Sequence, residues 1–148
     1  MKLYHGSKYD GEKIESRQAA KAEDLVGVPE EELQNGIYMS PDYGFAFSMG
    51  ARPRGQTAVG NDDKTISFEN PELFNPDENV FLYTFDSDKI PAENLECIDN
   101  LHYIVKEKNK LTPVTKETLK AGELFKYYKL VDWKENKEIV SEQKIKLR

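Results

Sequence analysis

Residues 36 to 50 read GIYMSPDYGFAFSMG. Gly36 to Met39 has strand character and runs straight into Ser40-Pro41-Asp42. Serine can cap a helix, proline fits the first helical position, and an acid suits the first turn. Tyr43, Phe45, Ala46, Phe47 and Met49 then make the following turns apolar, and Gly50 offers a stop. The stretch therefore predicts a short strand, a sharp change of direction and a small apolar helix. Tyr38 falls near the end of that strand.

A second stretch has the same logic. LYHGS, residues 3 to 7, predicts a strand over Lys2 to His5 that Gly6-Ser7 turns out of its sheet. His5 and Tyr38 thus both stand at strand ends followed by residues that redirect the chain. Such places commonly present ligand groups. A histidine can bond a ribose hydroxyl, a tyrosine ring can stack on a flat heterocycle, and glycine lets backbone approach a ligand closely. Each residue also has a plain structural reading: a partly buried histidine bonded to backbone, and a tyrosine that fills the core or its rim.

The rest of the chain gives coarser signals. Residues 11 to 35 are polar and mixed, with a weak helical pattern through Ala19, Ala20, Ala22 and Leu25. Residues 51 to 79 hold three prolines and two glycines and predict a long excursion, interrupted by a strand near Thr65 to Phe68. Segments of that kind often form lids or binding loops. VFLYTF, 80 to 85, is the clearest strand. His102 to Val105 predicts another, running on as a hairpin towards Leu111. Thr115 to Leu130 predicts a helix, with Leu119, Phe125 and Tyr128 inward and Gly122 as its weak point. Trp133 suits a packing anchor, and Ile145 and Leu147 alternate like an edge strand.

Composition narrows the function classes. The 148 residues suit a single domain, 1–148, and the aromatic content of 11% argues against intrinsic disorder. The net charge of −6 argues against a general nucleic-acid or anionic-membrane binder. One cysteine and two histidines speak against a structural zinc site, and Cys97 has no internal disulfide partner. No apolar signal segment or membrane-length run is present, so a soluble cytoplasmic protein is expected, with export lacking a classical signal left open.

YHGS at 4 to 7, followed by GIYMSP and a small apolar helix, resembles the ADP-ribosyltransferase superfamily. The nearest look is that of small bacterial and phage members and the rifampin ADP-ribosyltransferases. The resemblance implies an α+β fold with a split, mostly antiparallel sheet and short helices. It also implies NAD as cofactor, release of nicotinamide, and transfer of ADP-ribose to an acceptor, which could be a protein, a nucleic acid or a small molecule. A toxin or effector role would fit the same look. His5 matches the histidine that bonds the nicotinamide-side ribose, and the Gly6 backbone matches the group that holds the carboxamide. Ser7 matches the adjacent hydroxyl, Tyr38 the stacking tyrosine, and Ala46 a recurrent small residue of the helix.

The family's third catalytic residue is an acid on a later strand. Here the corresponding stretch is DNLHYIVKEKNKLTP, 99 to 113, where His102 stands in the acid's place. Asp99, Glu107 or Glu96 supplies a carboxylate only under a shifted alignment. An acid stabilises the developing ribosyl cation and orients the acceptor; a neutral histidine takes a proton but brings no fixed charge. Arg52 and Arg54 could grip a pyrophosphate, with Arg17 a further candidate, although a solvated loop explains all three. Lys106, Lys108 and Lys110 form a basic strip that Glu107 interrupts, and Gly60-Asn61-Asp62-Asp63 carries no pattern specific enough to name a calcium loop.

Three other functions compete. One is RNA 2′-phosphotransfer on a related fold, which calls for a basic patch that the acidic composition disfavours. Another is a nucleotide- or protein-binding module on a catalytically degenerate scaffold, which the missing acid favours. The last is an α+β structural protein whose aromatics only fill its core.

Overall fold

The computed structural model describes residues 1–13, 36–106 and 111–133. The fold is mixed α+β, with one α-helix, several 3-10 turns and three short sheets among the described residues. The first sheet has the order β1-β5-β8, from β1 (Lys2–Ser7), β5 (Asn79–Asp86) and β8 (Thr115–Lys120). The second has the order β2-β7-β6, from β2 (Ile37–Met39), β7 (Tyr103–Val105) and β6 (Leu95–Cys97). The third has the order β3-β4-β9, from β3 (Thr57–Gly60), β4 (Thr65–Phe68) and β9 (Lys129–Leu130). Among the described residues only the β4–β9 pairing is parallel.

β5 explains why VFLYTF reads as an unbroken apolar run. It is the middle strand of its sheet and is covered on both faces, the pattern that removes polar alternation. Val80 and Leu82 join one core with Phe47, Ile66, Phe68 and Leu124. Phe81, Tyr83 and Phe85 join the other with Leu3, Ile37, Met39 and Val105. The second core lies between the first two sheets. Among the described residues a single antiparallel bridge, Tyr4 to Ser40, joins those sheets at the edge where β1 meets β2.

The helix α1 (Tyr43–Ala51) packs on the first core. It starts two residues later than the sequence suggests. Asp42, not Ser40, is the N-cap, and its Oδ1 accepts from the Phe45 N–H at 2.9 Å. Ser40 Oγ accepts from the Asp42 N–H at 3.0 Å and shapes the entry instead.

Gly50 does not stop the helix, which ends at Ala51 with Arg52 as its cap. A Cβ at Gly50 would lie 2.6 Å from the Ser7 nitrogen, and one at Gly6 would lie 2.0 Å from the Ala46 carbonyl oxygen. The two glycines let α1 lie directly on β1. For the same reason Gly6 and Ser7 do not leave the sheet: β1 continues through them, opposite Leu82 and Phe81.

Two other expectations are corrected. The strand expected near Thr65 to Phe68 is β4, but residues 51 to 79 hold a second strand that pairs with it, so they are not an open excursion around one strand. β3 and β4 form a hairpin whose Ala58, Ile66 and Phe68 are buried. The expected helix over Thr115 to Leu130 is β8 followed by a 3-10 segment, Ala121–Lys126. Thr115 and Thr118 are β-branched and suit an edge strand on β5. Tyr128 is buried at 3% exposure, whereas Phe125 is 42% exposed. Trp133 is half-buried. The weak helix near Ala19, the continuation of β7 through 107 to 110, and the alternation at Ile145 and Leu147 lie outside the described residues.

Candidate functional site

The site is built where β1 and β2 part. In an antiparallel pair each residue aims its N–H and C=O at one edge, and the edge alternates along the strand. Tyr4 exchanges both bonds with Ser40, at 2.8 and 2.9 Å. A continued ladder would next pair Gly6 with Tyr38. It does not continue, because the bridge is isolated. The His5 Nδ1–H instead donates to the Tyr38 carbonyl at 2.7 Å. Strand alternation leaves the Gly6 N–H and C=O aimed at the edge facing β2, just past the bridge.

His5 lies on the face of β1 opposite Gly6. Its ring sits 6.3 Å from that of Tyr83, centroid to centroid. The bond to Tyr38 fixes the ring and places the proton of the neutral form on Nδ1, so the lone pair is on Nε2. Tyr83 in turn holds the loop after β1. Its hydroxyl accepts from the Gly11 N–H at 2.9 Å and donates to the Tyr9 carbonyl at 2.5 Å. Burial pushes the Tyr83 hydroxyl above its usual range, with the Gly11 bond opposing.

On its other edge β2 pairs with β7, Tyr38 opposite Ile104 and Met39 opposite Tyr103. Alternation then puts Tyr38, Ile104 and His102 on one face of the sheet. That face is the one towards α1, since the Phe45 and His102 rings meet edge-to-face at 5.1 Å.

Asp99 and His102 are in direct contact. The His102 Nδ1 lies 2.8 and 2.9 Å from the two Asp99 carboxylate oxygens. Asp99 Oδ1 also accepts from the Leu101 and His102 backbone N–H groups at 2.8 Å each. Burial works to raise the Asp99 carboxyl, but these bonds and the imidazole outweigh it and hold it below the usual carboxylate range. The sequence named both residues as alternatives for one role; the fold joins them into a pair.

Glu96 shares the cross-strand row of Tyr38 and Ile104. Two strand spacings, about 10 Å of backbone, separate it from Tyr38, and it pairs with Lys106 at 3.1 Å. Glu107 lies outside the described residues, as does Arg17.

The remaining predicted residues have clear places. Ser7 Oγ accepts from the Tyr9 N–H at 2.9 Å and shapes the exit from β1. Ala46 is 3% exposed in the first core, and its carbonyl is the group that Gly6 makes room for. Arg52 caps α1, and its carbonyl accepts from the Lys8 ammonium. Arg54 is exposed on the following turn, where its carbonyl accepts from Asn70 Nδ2 at 3.2 Å.

Lys8 was not singled out from the sequence. Partial burial of its ammonium lowers its pKa, Glu78 opposes that, and the neighbouring Arg52 adds to it. Its position directly after Gly6-Ser7 was the available signal. Two cations, Lys8 and Arg52, therefore meet where β1 and α1 end together.

No group of three or more His, Cys, Asp or Glu side chains able to hold a metal ion occurs among the described residues. No helix among them is long and apolar enough to cross a membrane. Comparison with protein-family models, with curated proteins and with solved structures found no match.

Proposed function

We propose that the protein is an NAD-dependent ADP-ribosyltransferase acting at the parting of β1 and β2. The observation that carries this reading is the interrupted ladder beside the His5–Tyr38 bond. The Gly6 N–H and C=O face the gap as one donor and one acceptor on neighbouring atoms. A primary carboxamide such as that of nicotinamide offers the complementary pair. This reading assigns His5 Nε2 to a ribose hydroxyl, the Tyr38 ring to the heterocycle, and Lys8 with Arg52 to the pyrophosphate.

NAD, when bound, would supply a ribosyl carbon whose bond to nicotinamide breaks, the electron pair leaving with nicotinamide, as the acceptor's oxygen or nitrogen bonds to that carbon. The chain's own part is to bind, orient and move one proton. Asp99 holds the His102 ring and offsets positive charge on it, so when His102 Nε2 takes the acceptor's proton the pair becomes neutral rather than positive. An aspartate-backed histidine thereby stands in for the single carboxylate that the resemblance leads one to expect. The acceptor class is a protein, a nucleic acid or a small molecule.

The test is nicotinamide release from NAD by the wild-type chain and by His102→Gln and Asp99→Asn. Removal of a general base typically lowers a rate by about 10²–10⁴-fold. His102→Gln is expected to lose at least about tenfold, with its melting temperature unchanged. Undiminished release in His102→Gln would remove that residue from the chemistry.

A second reading is NAD binding without transfer. It is favoured by one observation: the side chain beside Phe45 on Tyr38's face is a histidine rather than a carboxylate. It predicts saturable NAD binding with no nicotinamide released by any variant.

A further inference from the structure

A second concave site lies away from the β1–β2 gap. The β3–β4 turn, the 3-10 segment Ala121–Lys126 and β9 border an open groove of about 650 Å³. Its charged side chains are Asp63, Lys64, Lys126 and Lys129, so three of four are cations in a chain of net charge −6. Asp63 is engaged in the turn, where Oδ1 accepts from Thr65 Oγ1 at 2.8 Å. Lys126 faces Glu123 at 3.2 Å. The positive character therefore rests mainly on Lys64 and Lys129.

Those two lysines are set side by side by backbone. The Lys129 N–H donates to the Lys64 carbonyl at 2.8 Å. Lys64 takes a φ of +56°, a left-handed conformation that glycine or asparagine adopts more readily. Its ammonium stands 6.0 Å from the centre of the Tyr128 ring. Around the lysines, Phe125, Tyr127 and Leu130 are 42%, 40% and 45% exposed. Exposed rings and apolar carbon lining the same groove as two cations match one ligand chemistry well: a base that stacks, joined to a phosphate that pairs with ammonium groups.

We propose that this groove binds a nucleotide unit, with the ring against Phe125 and Tyr127 and the phosphate against Lys64 and Lys129. The site does not depend on the NAD reading. An acidic peptide would use the lysines and leave the aromatic faces without a matching partner.

The probes are AMP and a fluorescein-labelled octauridylate, titrated into the full chain at low salt. Lys64→Gly removes the cation while easing the strained turn, so its melting temperature should hold or rise. Phe125→Ala removes the stacking face. Each variant should weaken binding at least tenfold, and Lys89→Gln, a distant surface lysine, should leave it unchanged. Saturation by AMP would mark a free nucleotide as the ligand, and saturation by the octauridylate alone would mark a strand; both support the site. Four results would overturn it: no binding of either probe, full binding by Lys64→Gly, equal displacement by hexaglutamate, or loss of binding in Tyr38→Ala, which would move the nucleotide to the β1–β2 gap.

Discussion

His5 and Tyr38, thirty-three positions apart in sequence, are tied by a 2.7 Å bond from the His5 ring to the Tyr38 carbonyl, next to the Tyr4–Ser40 bridge between the first two sheets. The ring takes the carbonyl that a continued ladder would have given to Gly6. A part-buried bond of this kind contributes about 1 kcal/mol net. His5→Ala should lower stability by about that much in urea unfolding. A loss near zero would mean that the strands hold their spacing without the histidine.

Gly6→Ala should be costlier. The added Cβ would lie 2.0 Å from the Ala46 carbonyl oxygen, and backbone cannot swing aside as a side chain can. Overpacking of this sort costs about 1–3 kcal/mol, and a backbone clash belongs at the upper end. The expected result is a melting temperature lowered by several degrees. An unchanged value would show that α1 can lift from β1 freely.

Asp99 gives an acid-side signature. Its carboxyl is held below the usual range, so the folded state keeps it ionised at pH values where the unfolded chain has begun to bind a proton. Its contribution is complete above the unfolded value near 4 and is lost as pH falls through the lower folded value. Asp99→Asn should flatten the acid limb of a stability–pH curve. An unchanged limb would deny the Asp99–His102 contact in solution.

The alkaline side belongs to two tyrosines. Burial, with Glu117 adding, raises the Tyr43 hydroxyl to about 12, and burial, with Asp42 adding, raises Tyr128 to about 12. Both folded values exceed the unfolded value near 10, so stability holds below about pH 10 and falls as pH rises towards 12. Tyr43→Phe and Tyr128→Phe should each reduce that fall. Among the described residues the buried Tyr128 hydroxyl has no hydrogen-bond partner. Tyr128→Phe should therefore also gain about 1 kcal/mol at neutral pH. A loss of stability would mean that the hydroxyl is satisfied in solution.

Local chemistry made part of this fold legible. VFLYTF declares a strand because β5 is covered on both faces, and Ile37–Met39 followed by an apolar helix is visible in GIYMSPDYGFAF. β8 was hidden because Thr115–Lys120 is almost wholly exposed: its apolar pattern is weak, and pairing with β5 alone decides its state. β3 was missed for a related reason, since TAVG becomes a strand only by pairing with β4. Gly6 and Gly50 read as a turn and a stop, yet their use is the contact between α1 and β1, which no single stretch encodes. At the site, Tyr38 was marked by the change of direction after it, and His5 by Gly6, whose use is close packing on α1 rather than a turn. The Asp99–His102 pair depends on how residues 99 to 102 fold back, so the sequence offered its members only as alternatives.

The central claim is that NAD binds where β1 and β2 part. Calorimetric titration of NAD into the wild-type chain and into Tyr38→Ala tests it most directly. The account predicts saturable binding by the wild type and at least tenfold weaker binding by the variant, with both chains equally folded by circular dichroism. No heat of binding up to millimolar NAD, or equal affinity in Tyr38→Ala, would contradict it.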